Sequence, residues 1–334
     1  MYEELFDELS EATKTVNQVI ERMLDVSSRP LELYTASRHL IEAGGKRLRP
    51  FLVLKSCEIV GGNSADALPF AAAVEFIHNF TLIHDDIMDN DEKRRGVATV
   101  HNLWGVPIAI TAGDLLFAKA YNAVLSSTKT STVSSQRILK ILEIITNTTI
   151  SICQGQVRDV VFETKELIPE KDYFNMIGEK TAILLETSAK IGAIIGRGKA
   201  RQIQRLGRFA YYSGLAFQIV DDILGLTADE NTLGKPVGSD VREGKKTLIM
   251  IYALTHANET QRKQIYSVLG KEEASLNDVK AVLQIIRSLD ALEYASIKAE
   301  KLVEKAKSQL SSFPSSHTKD ILLNLASYIL SRKY

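Results

Sequence analysis

The sequence predicts an all-α protein, and three observations lead there. Apolar residues recur every three or four positions through most of the 334-residue chain, which is the spacing of one helix face. No segment alternates apolar and polar residues in the manner of a half-buried strand. Only 7 prolines punctuate the chain, and Pro50, Pro107 and Pro169 sit where helices are expected to begin.

The helical runs follow in order. The first covers Leu5 to Leu24, with acids near its start. Further runs cover Leu52 to Ile87, Ile108 to Leu125 and Ile138 to Val161. The pattern resumes from Tyr173 to Ile195, Ile203 to Leu226 and Leu248 to Leu254, and three shorter amphipathic segments complete the C-terminal third. Two loops interrupt it, residues 91–105 (DEKRRGVATVHNLWG) and 227–246 (TADENTLGKPVGSDVREGKK). Both are rich in charge and glycine, and each follows an acidic motif at a helix end. With no low-complexity linker and no short tandem repeat, one domain over 1–334 is the simplest organisation.

The 41 basic and 41 acidic side chains balance, so nothing draws the chain as a whole to nucleic acid, and anionic partners must be caught by local clusters. Cys57 and Cys153 have no metal-like spacing and read as two buried thiols of a reducing compartment. The N-terminal stretch lacks the basic start and long apolar core of a signal peptide, and no uncharged apolar run has membrane-spanning length. A soluble cytoplasmic protein without a transmembrane segment is expected.

The segment AAAVEFIHNFTLIHDDIMDND carries the first chemistry. An apolar helix presents Asp85, Asp86 and Asp89, with Asp91 just beyond; residues four apart share a face, so Asp85 and Asp89 project together with Asp86 beside them. The plain alternative is a solvated helix end, but the preceding turns are too apolar for an ordinary surface face. A site for Mg²⁺ fits better, because this hard cation takes a few carboxylates together with substrate phosphates. About 130 residues later LAFQIVDDILGLTAD repeats the design, with Asp221 and Asp222 closing an apolar run and Gln218 one turn earlier. Facing each other across a cavity, two such motifs would hold several magnesium ions against one diphosphate.

Basic clusters bracket both motifs. GGKRLRP places Lys46, Arg47 and Arg49 between Gly44-Gly45 and Pro50; Arg94 and Arg95 follow the first motif, and Lys235, Lys245 and Lys246 the second. Arginine forks match phosphate oxygens and lysines act as point charges. One such cluster alone would be a solvated surface, but three around two acidic motifs are not.

GGKRLRP, DDIMD followed by RRG, GQVRD, EKTA, FQIVDDILG and GKPVGSDVREGKKT occur here in the order found in trans-isoprenyl diphosphate synthases, the polyprenyl synthetase family. The resemblance runs from about Gly44 to Thr247. It is nearest to the archaeal-type geranylgeranyl diphosphate synthases, because only two residues separate Asp86 and Asp89. It implies a helical bundle around a central apolar cavity, a homodimer formed through the apolar helices between Ile108 and Val161, and isopentenyl and allylic diphosphates as substrates. By the same resemblance Lys46, Arg49, His78 and Arg95 hold the isopentenyl diphosphate. Asp85, Asp89 and Asp221 ligate magnesium, supported by Asp86, Asp222 and Asp240. Arg94, Lys180 and Lys245 contact the allylic diphosphate, with Lys235 at the mouth, and Thr181 and Gln218 flank the developing carbocation. Gln156 and Asp159 match the family's GQxxD element. Gly225 stands where some members carry a third aspartate, which lowers ligand redundancy.

The implied reaction ionises the allylic diphosphate, lets the double bond of isopentenyl diphosphate attack the cation, and then loses a proton. The growing tail would run down the apolar helix from Asp85, so Phe80, five positions back, with Thr81 and Ile77 near it, is the expected floor for a C20 product, geranylgeranyl diphosphate; farnesyl diphosphate is the alternative or co-product. A class I terpene cyclase would not need GGKRLRP or the Arg94-Arg95 pair. A di-iron carboxylate bundle needs two ExxH motifs, and only Glu75 to His78 has that spacing. A metal phosphohydrolase built on His84-Asp85 leaves the second motif unused, and a non-catalytic partner subunit would lack one of the two.

Overall fold

The computed structural model describes residues 2–25, 27–127, 133–227, 238–271 and 273–332. The helices are α1 Glu3–Met23, α2 Leu31–Glu42, α3 Leu48–Glu58, α4 Ser64–Met88, α5 Val100–Trp104, α6 Val106–Ser126, α7 Ser135–Glu163, α8 Glu170–Ile177, α9 Ile183–Ile195 and α10 Ala200–Thr227. They continue with α11 Ser239–Glu243, α12 Leu248–His256, α13 Glu259–Tyr266, α14 Leu276–Ser288, α15 Ala291–Gln309 and α16 His317–Ser331. The all-α class is as expected, with local departures: α2 lies outside the expected runs, and the short α5 and α11 lie within the two charged loops. The run from Leu52 to Ile87 is two helices, because Gly61 and Gly62 end one and the Asn63 side chain caps the next by accepting from the Ala65 amide. The four helices α13 to α16 replace the three short C-terminal segments. A small antiparallel hairpin, β1 Lys93–Arg94 and β2 Val97–Ala98, interrupts the first charged loop.

The chain falls into two compact units. Unit 1 comprises Met1–Thr149, Leu184–Gly207 and Ser312–Asn324. At its heart, α4 is buried nearly all round from Phe70 to Ile77, as a central helix must be. Small residues permit close contact: a Cβ at Gly113 of α6 would come 2.3 Å from His84 Nε2 of α4, and one at Gly192 of α9 would come 2.0 Å from the Val53 carbonyl oxygen of α3. Cys57 is enclosed here and burial, the largest effect, pushes its thiol up to about 12, whereas Cys153 is exposed, which corrects the expectation of two buried thiols; neither forms a disulfide. Unit 2 comprises Ile150–Ile183, Arg208–Ser311 and Leu325–Tyr334. Its core includes Tyr173, Phe209, Ile219 and the apolar face of α12. The start of α12 is fixed by Thr247, whose hydroxyl accepts from the Met250 amide, and α13 and α14 each open with a reciprocal capping box.

Among the described residues one helix, α6, is long and apolar enough to cross a membrane by length and composition. It carries Asp114 and Lys119, and Lys119 Nζ donates to the Met23 carbonyl within unit 1.

Candidate active site

In unit 1 the first acidic motif ends α4. Asp85 and Asp89 bracket one turn, with the Asp89 amide donating to the Asp85 carbonyl, while Asp86 turns inward and is buried. Arg94 grips Asp86 at 2.5 Å and Asp91 at 3.0 Å. Burial raises the Asp86 carboxyl and Arg94 offsets this only in part; burial lowers the Arg94 guanidinium, and its acidic partners more than reverse that. In this state Arg94 is committed to the acids rather than pointed at a substrate.

The hairpin turn explains the neighbouring Arg95. Arg95 and Gly96 have φ values of 55° and 78°, the left-handed pair that a two-residue turn between twisted strands requires. The turn lays the Arg95 guanidinium along the Gly44-Gly45 backbone, where it donates to the carbonyls of Leu40 at 2.6 Å and of Gly44. A Cβ on Gly45 would stand 3.1 Å from Arg95 Cζ, and Gly45 itself has φ +129°.

GGKRLRP divides its cations between two tasks. Arg47 is buried and bonds Glu75 at 3.0 Å, Asn17, and the carbonyls of Gly44 and Ile41, so it is a structural clamp. Lys46 is exposed, and Arg49 approaches His78 with Nη1 to Nε2 at 3.2 Å. Burial above all, and then the cations Arg49, Arg95, Arg47 and Arg94, hold His78 well below its ordinary value. The ring is therefore neutral, with Nε2 accepting from Arg49 and the proton on Nδ1. Arg49 thus meets the His78 ring, and Arg95, held on the Leu40 and Gly44 carbonyls, adds its charge to the same neighbourhood.

Of the three expected chain-length residues, Ile77 is fully buried core. Phe80 is half-buried and begins an aromatic series, its ring centroid 5.5 Å from Phe117, which lies 5.1 Å from Tyr121. The Thr81 hydroxyl donates to the His78 carbonyl.

In unit 2 a cavity of about 220 Å³ is lined by Asp159, Tyr173, Lys180, Thr181, Gln218, Asp221, Asp222, Gly225, Asp240, Lys245 and Lys246, among others. Lys180 and Thr181 lie in a π-helical turn, Gly178–Ala182, between α8 and α9; such bulges re-aim side chains that a regular helix would bury. Gly155 permits it, since a Cβ there would come 2.4 Å from the Lys180 backbone nitrogen. Lys180 Nζ bonds Asp159 at 2.6 Å, which joins GQVRD to EKTA. Thr181 donates to Gln218 Oε1 at 2.9 Å, Gln218 Nε2 donates to Asp222 Oδ1 at 2.9 Å, and the buried Tyr173 hydroxyl donates to Asp222 Oδ2 at 2.6 Å. Burial, then the charges of Asp240 and Asp221, push Asp222 up to about 8 against the opposing pull of its two donors.

Asp221 pairs with Arg332 at 2.7 Å, and that guanidinium also covers the Phe217 ring. Lys245 pairs with Glu243, and Lys246 is buried on the carbonyls of Gly244 and Glu163. Lys235 lies outside the described residues. At Gly225, a Cβ would stand 3.1 Å from Asp240 Oδ2, so the Asp240 carboxylate fills the space beside the absent third aspartate. Sequence reasoning missed Tyr173 and Arg332. Tyr173 reads as one more apolar position of its run, and Arg332 lies far from every motif in the chain.

The donors fit magnesium in kind. Both motifs offer only carboxylate oxygens, and the buried Asp86 Oδ2 has no hydrogen-bond partner. Among the described residues no group of three acidic, histidine or cysteine side chains is already gathered for a metal. That suits an ion that keeps waters and shares phosphate oxygens rather than entering an all-protein cage.

Residues 30–286 match the Polyprenyl synthetase family. The chain belongs to that family. A geranylgeranyl diphosphate synthase of Methanosarcina mazei is 40% identical over 330 residues, covering 99% of this chain and 98% of the relative. A geranylfarnesyl diphosphate synthase of Aeropyrum pernix is 40% identical over 311 residues, covering 92% and 96%. Among solved structures, the geranylgeranyl pyrophosphate synthetase of Pyrococcus horikoshii superposes with a TM-score of 0.93 at 42% identity, covering 99% of both chains. For a polyprenyl synthetase, the division of labour inside GGKRLRP is informative: Arg47 is sealed against Glu75 while Arg49 meets His78.

Proposed function

We propose that this polyprenyl synthetase condenses isopentenyl diphosphate with C5 to C15 allylic diphosphates to give mainly all-trans geranylgeranyl diphosphate, by ionisation, condensation and elimination. The observation that carries this reading is the pair of distinct charged sets. Unit 1 holds a donor nest of Arg49, His78 and Arg95 next to an acidic motif, and unit 2 holds a second acidic motif in a cavity with Lys180 and Lys245. A reaction with two diphosphate substrates needs the Arg49, His78 and Arg95 donors in addition to the acidic motifs, whereas a cyclase would not. Chain 1–334 is read as a single catalytic domain.

Arg49, Arg95 and Lys46 hold the acceptor's diphosphate, and neutral His78 adds a donor without a competing charge. Asp85, Asp89 and Asp221 would hold magnesium, as several ions, which would supply charge neutralisation on the leaving diphosphate. Arg94, Lys180 and Lys245 grip the same leaving group, with Lys235 at the mouth, while Thr181 and Gln218 turn oxygen dipoles to the allylic cation. The apolar walls exclude water, which would otherwise quench that cation. Phe80 sets the floor for a C20 tail.

The reading also takes the enzyme as a cytoplasmic homodimer. Val106, Ile110, Leu125 and Leu139 are exposed on α6 and the first half of α7, and Leu139 is 68% exposed, an unusual cost for a lone surface. Light scattering that gives a monomer at working concentration would count against the dimer.

The test is a product assay with labelled isopentenyl diphosphate, Mg²⁺ and each of the C5, C10 and C15 primers, resolving chain length after dephosphorylation. A C20 product abolished by chelator is expected. Hydrocarbon released from a C15 or C20 diphosphate without condensation would overturn the reading in favour of a cyclase, and a C25 product would overturn the chain length alone.

A further inference from the structure

We infer that Tyr173 is a positioning residue for the ionisation step: its buried hydroxyl, through Asp222, fixes which end of the Gln218 amide faces Thr181 and the cavity. The inference deepens the prenyl-transfer reading and rests on it for the role of Gln218. The hydrogen bonds form one directed chain. The Tyr173 hydroxyl donates to Asp222 Oδ2 at 2.6 Å, Gln218 Nε2 donates to Asp222 Oδ1 at 2.9 Å, and Thr181 Oγ1 donates to Gln218 Oε1 at 2.9 Å. Tyr173 is 1% exposed, so its hydroxyl cannot exchange this partner for water.

The polarity of the chain follows from chemistry. With the Tyr173 hydroxyl donating to one Asp222 oxygen and the Gln218 NH₂ to the other, the Gln218 amide oxygen points the other way and accepts from Thr181. Gln218 and Thr181 both line the cavity. An amide oxygen there presents the negative end of a dipole to a developing carbocation, while a flipped amide would present N–H and reverse the sign. The lock depends on Asp222 staying in one orientation, and only Tyr173 holds its second oxygen among the bonds described. Gln218 and Asp222 are one helical turn apart on α10, whereas Tyr173 reaches them from α8.

The experiment compares wild type, Tyr173→Phe, Gln218→Leu and the double variant as full-length enzymes. Phenylalanine keeps the ring and removes only the donor. The expected result is a kcat about tenfold lower in Tyr173→Phe, with KM for both diphosphates within about twofold, and no further loss when the change is made in the Gln218→Leu background. Unchanged kcat, or the same loss in both backgrounds, would overturn the inference. A second readout does not depend on turnover. The Gln218 side-chain NH₂ signal, identified in ¹⁵N-glutamine-labelled enzyme by its absence in Gln218→Leu, is expected to shift in Tyr173→Phe, and an unmoved signal overturns the inference. A wild-type enzyme that forms no prenyl product would instead overturn the functional reading, so the two failures are distinct.

Discussion

Replacing Phe80 with alanine should lengthen the product by one isoprene unit, from C20 to C25, and no more. Phe80 lies five residues before Asp85, about 7.5 Å back along α4 at 1.5 Å per residue. Removing its ring opens space close to one helical turn, about 5.4 Å, which is the length of one extended isoprene. The ring of Phe117 remains, its centroid 5.5 Å from where the Phe80 ring lay, with Tyr121 behind it, so a second stop is already in place. Because Phe80 is half-buried, the stability cost should be about 1–2 kcal/mol, below the ~3–5 kcal/mol of a fully buried phenylalanine, and the enzyme should still fold. The assay is chromatography of dephosphorylated products from wild type, Phe80→Ala and Phe80→Ala/Phe117→Ala. Unchanged C20 in the single variant refutes the floor. Chains well beyond C25 from the single variant refute the role given to Phe117.

Gly155→Ala should lose activity through geometry alone. The new Cβ meets the Lys180 backbone nitrogen at 2.4 Å, overpacking that costs about 1–3 kcal/mol and displaces the π-helical turn, so kcat should fall by about 100-fold while the enzyme remains folded by circular dichroism. His317 pairs with Glu8 at 3.0 Å and Glu4 at 3.4 Å, and the Glu8 contact raises its protonation range. Its contribution is therefore fully present below the unfolded value of about 6.5 and is lost as pH rises through the folded value, so His317→Gln should lower the unfolding midpoint at pH 5.5 and leave it unchanged at pH 9. Asp85→Ala should reduce turnover by at least about 100-fold even at saturating magnesium, measured by the same product assay; near-normal turnover removes Asp85 from the ligand set.

The fold class was legible because burial imposes a 3.6-residue period that composition cannot hide, and α1, with Leu5, Leu9, Ala12, Val16 and Val19 buried, shows it directly. The break between α3 and α4 was less visible, since apolar residues continue on both sides and only Gly61, Gly62 and Asn63 mark it. The acidic and basic motifs were legible because clustered charge on an apolar helix needs a reason. Which cation does what was not legible from spacing, because sequence order carries no direction for a side chain, and only the family resemblance set Arg49 apart from Arg47. Arg47 and Arg49 are two residues apart, yet one is sealed against Glu75 and the other meets His78. Tyr173 was hidden because a buried tyrosine and a buried phenylalanine satisfy the same helical period.

The charges in these sites are paired before any substrate arrives. Arg94 holds Asp86 and Asp91 in unit 1; in unit 2, Lys180 holds Asp159, Lys245 holds Glu243 and Arg332 holds Asp221. A buried charge left alone would be costly, so these acids and bases are kept neutralised by one another. A diphosphate arriving without metal would have to take the bases away from their carboxylates and leave those acids unpaired. A metal ion arriving alone would strand the bases in the same way. Metal and diphosphate together exchange one set of pairs for another at nearly constant local charge, which favours their entry as a unit. The same balance accounts for a chain with 41 acids and 41 bases that nevertheless handles polyanions: the charge that matters is released locally, at the moment of binding, and does not appear in the total.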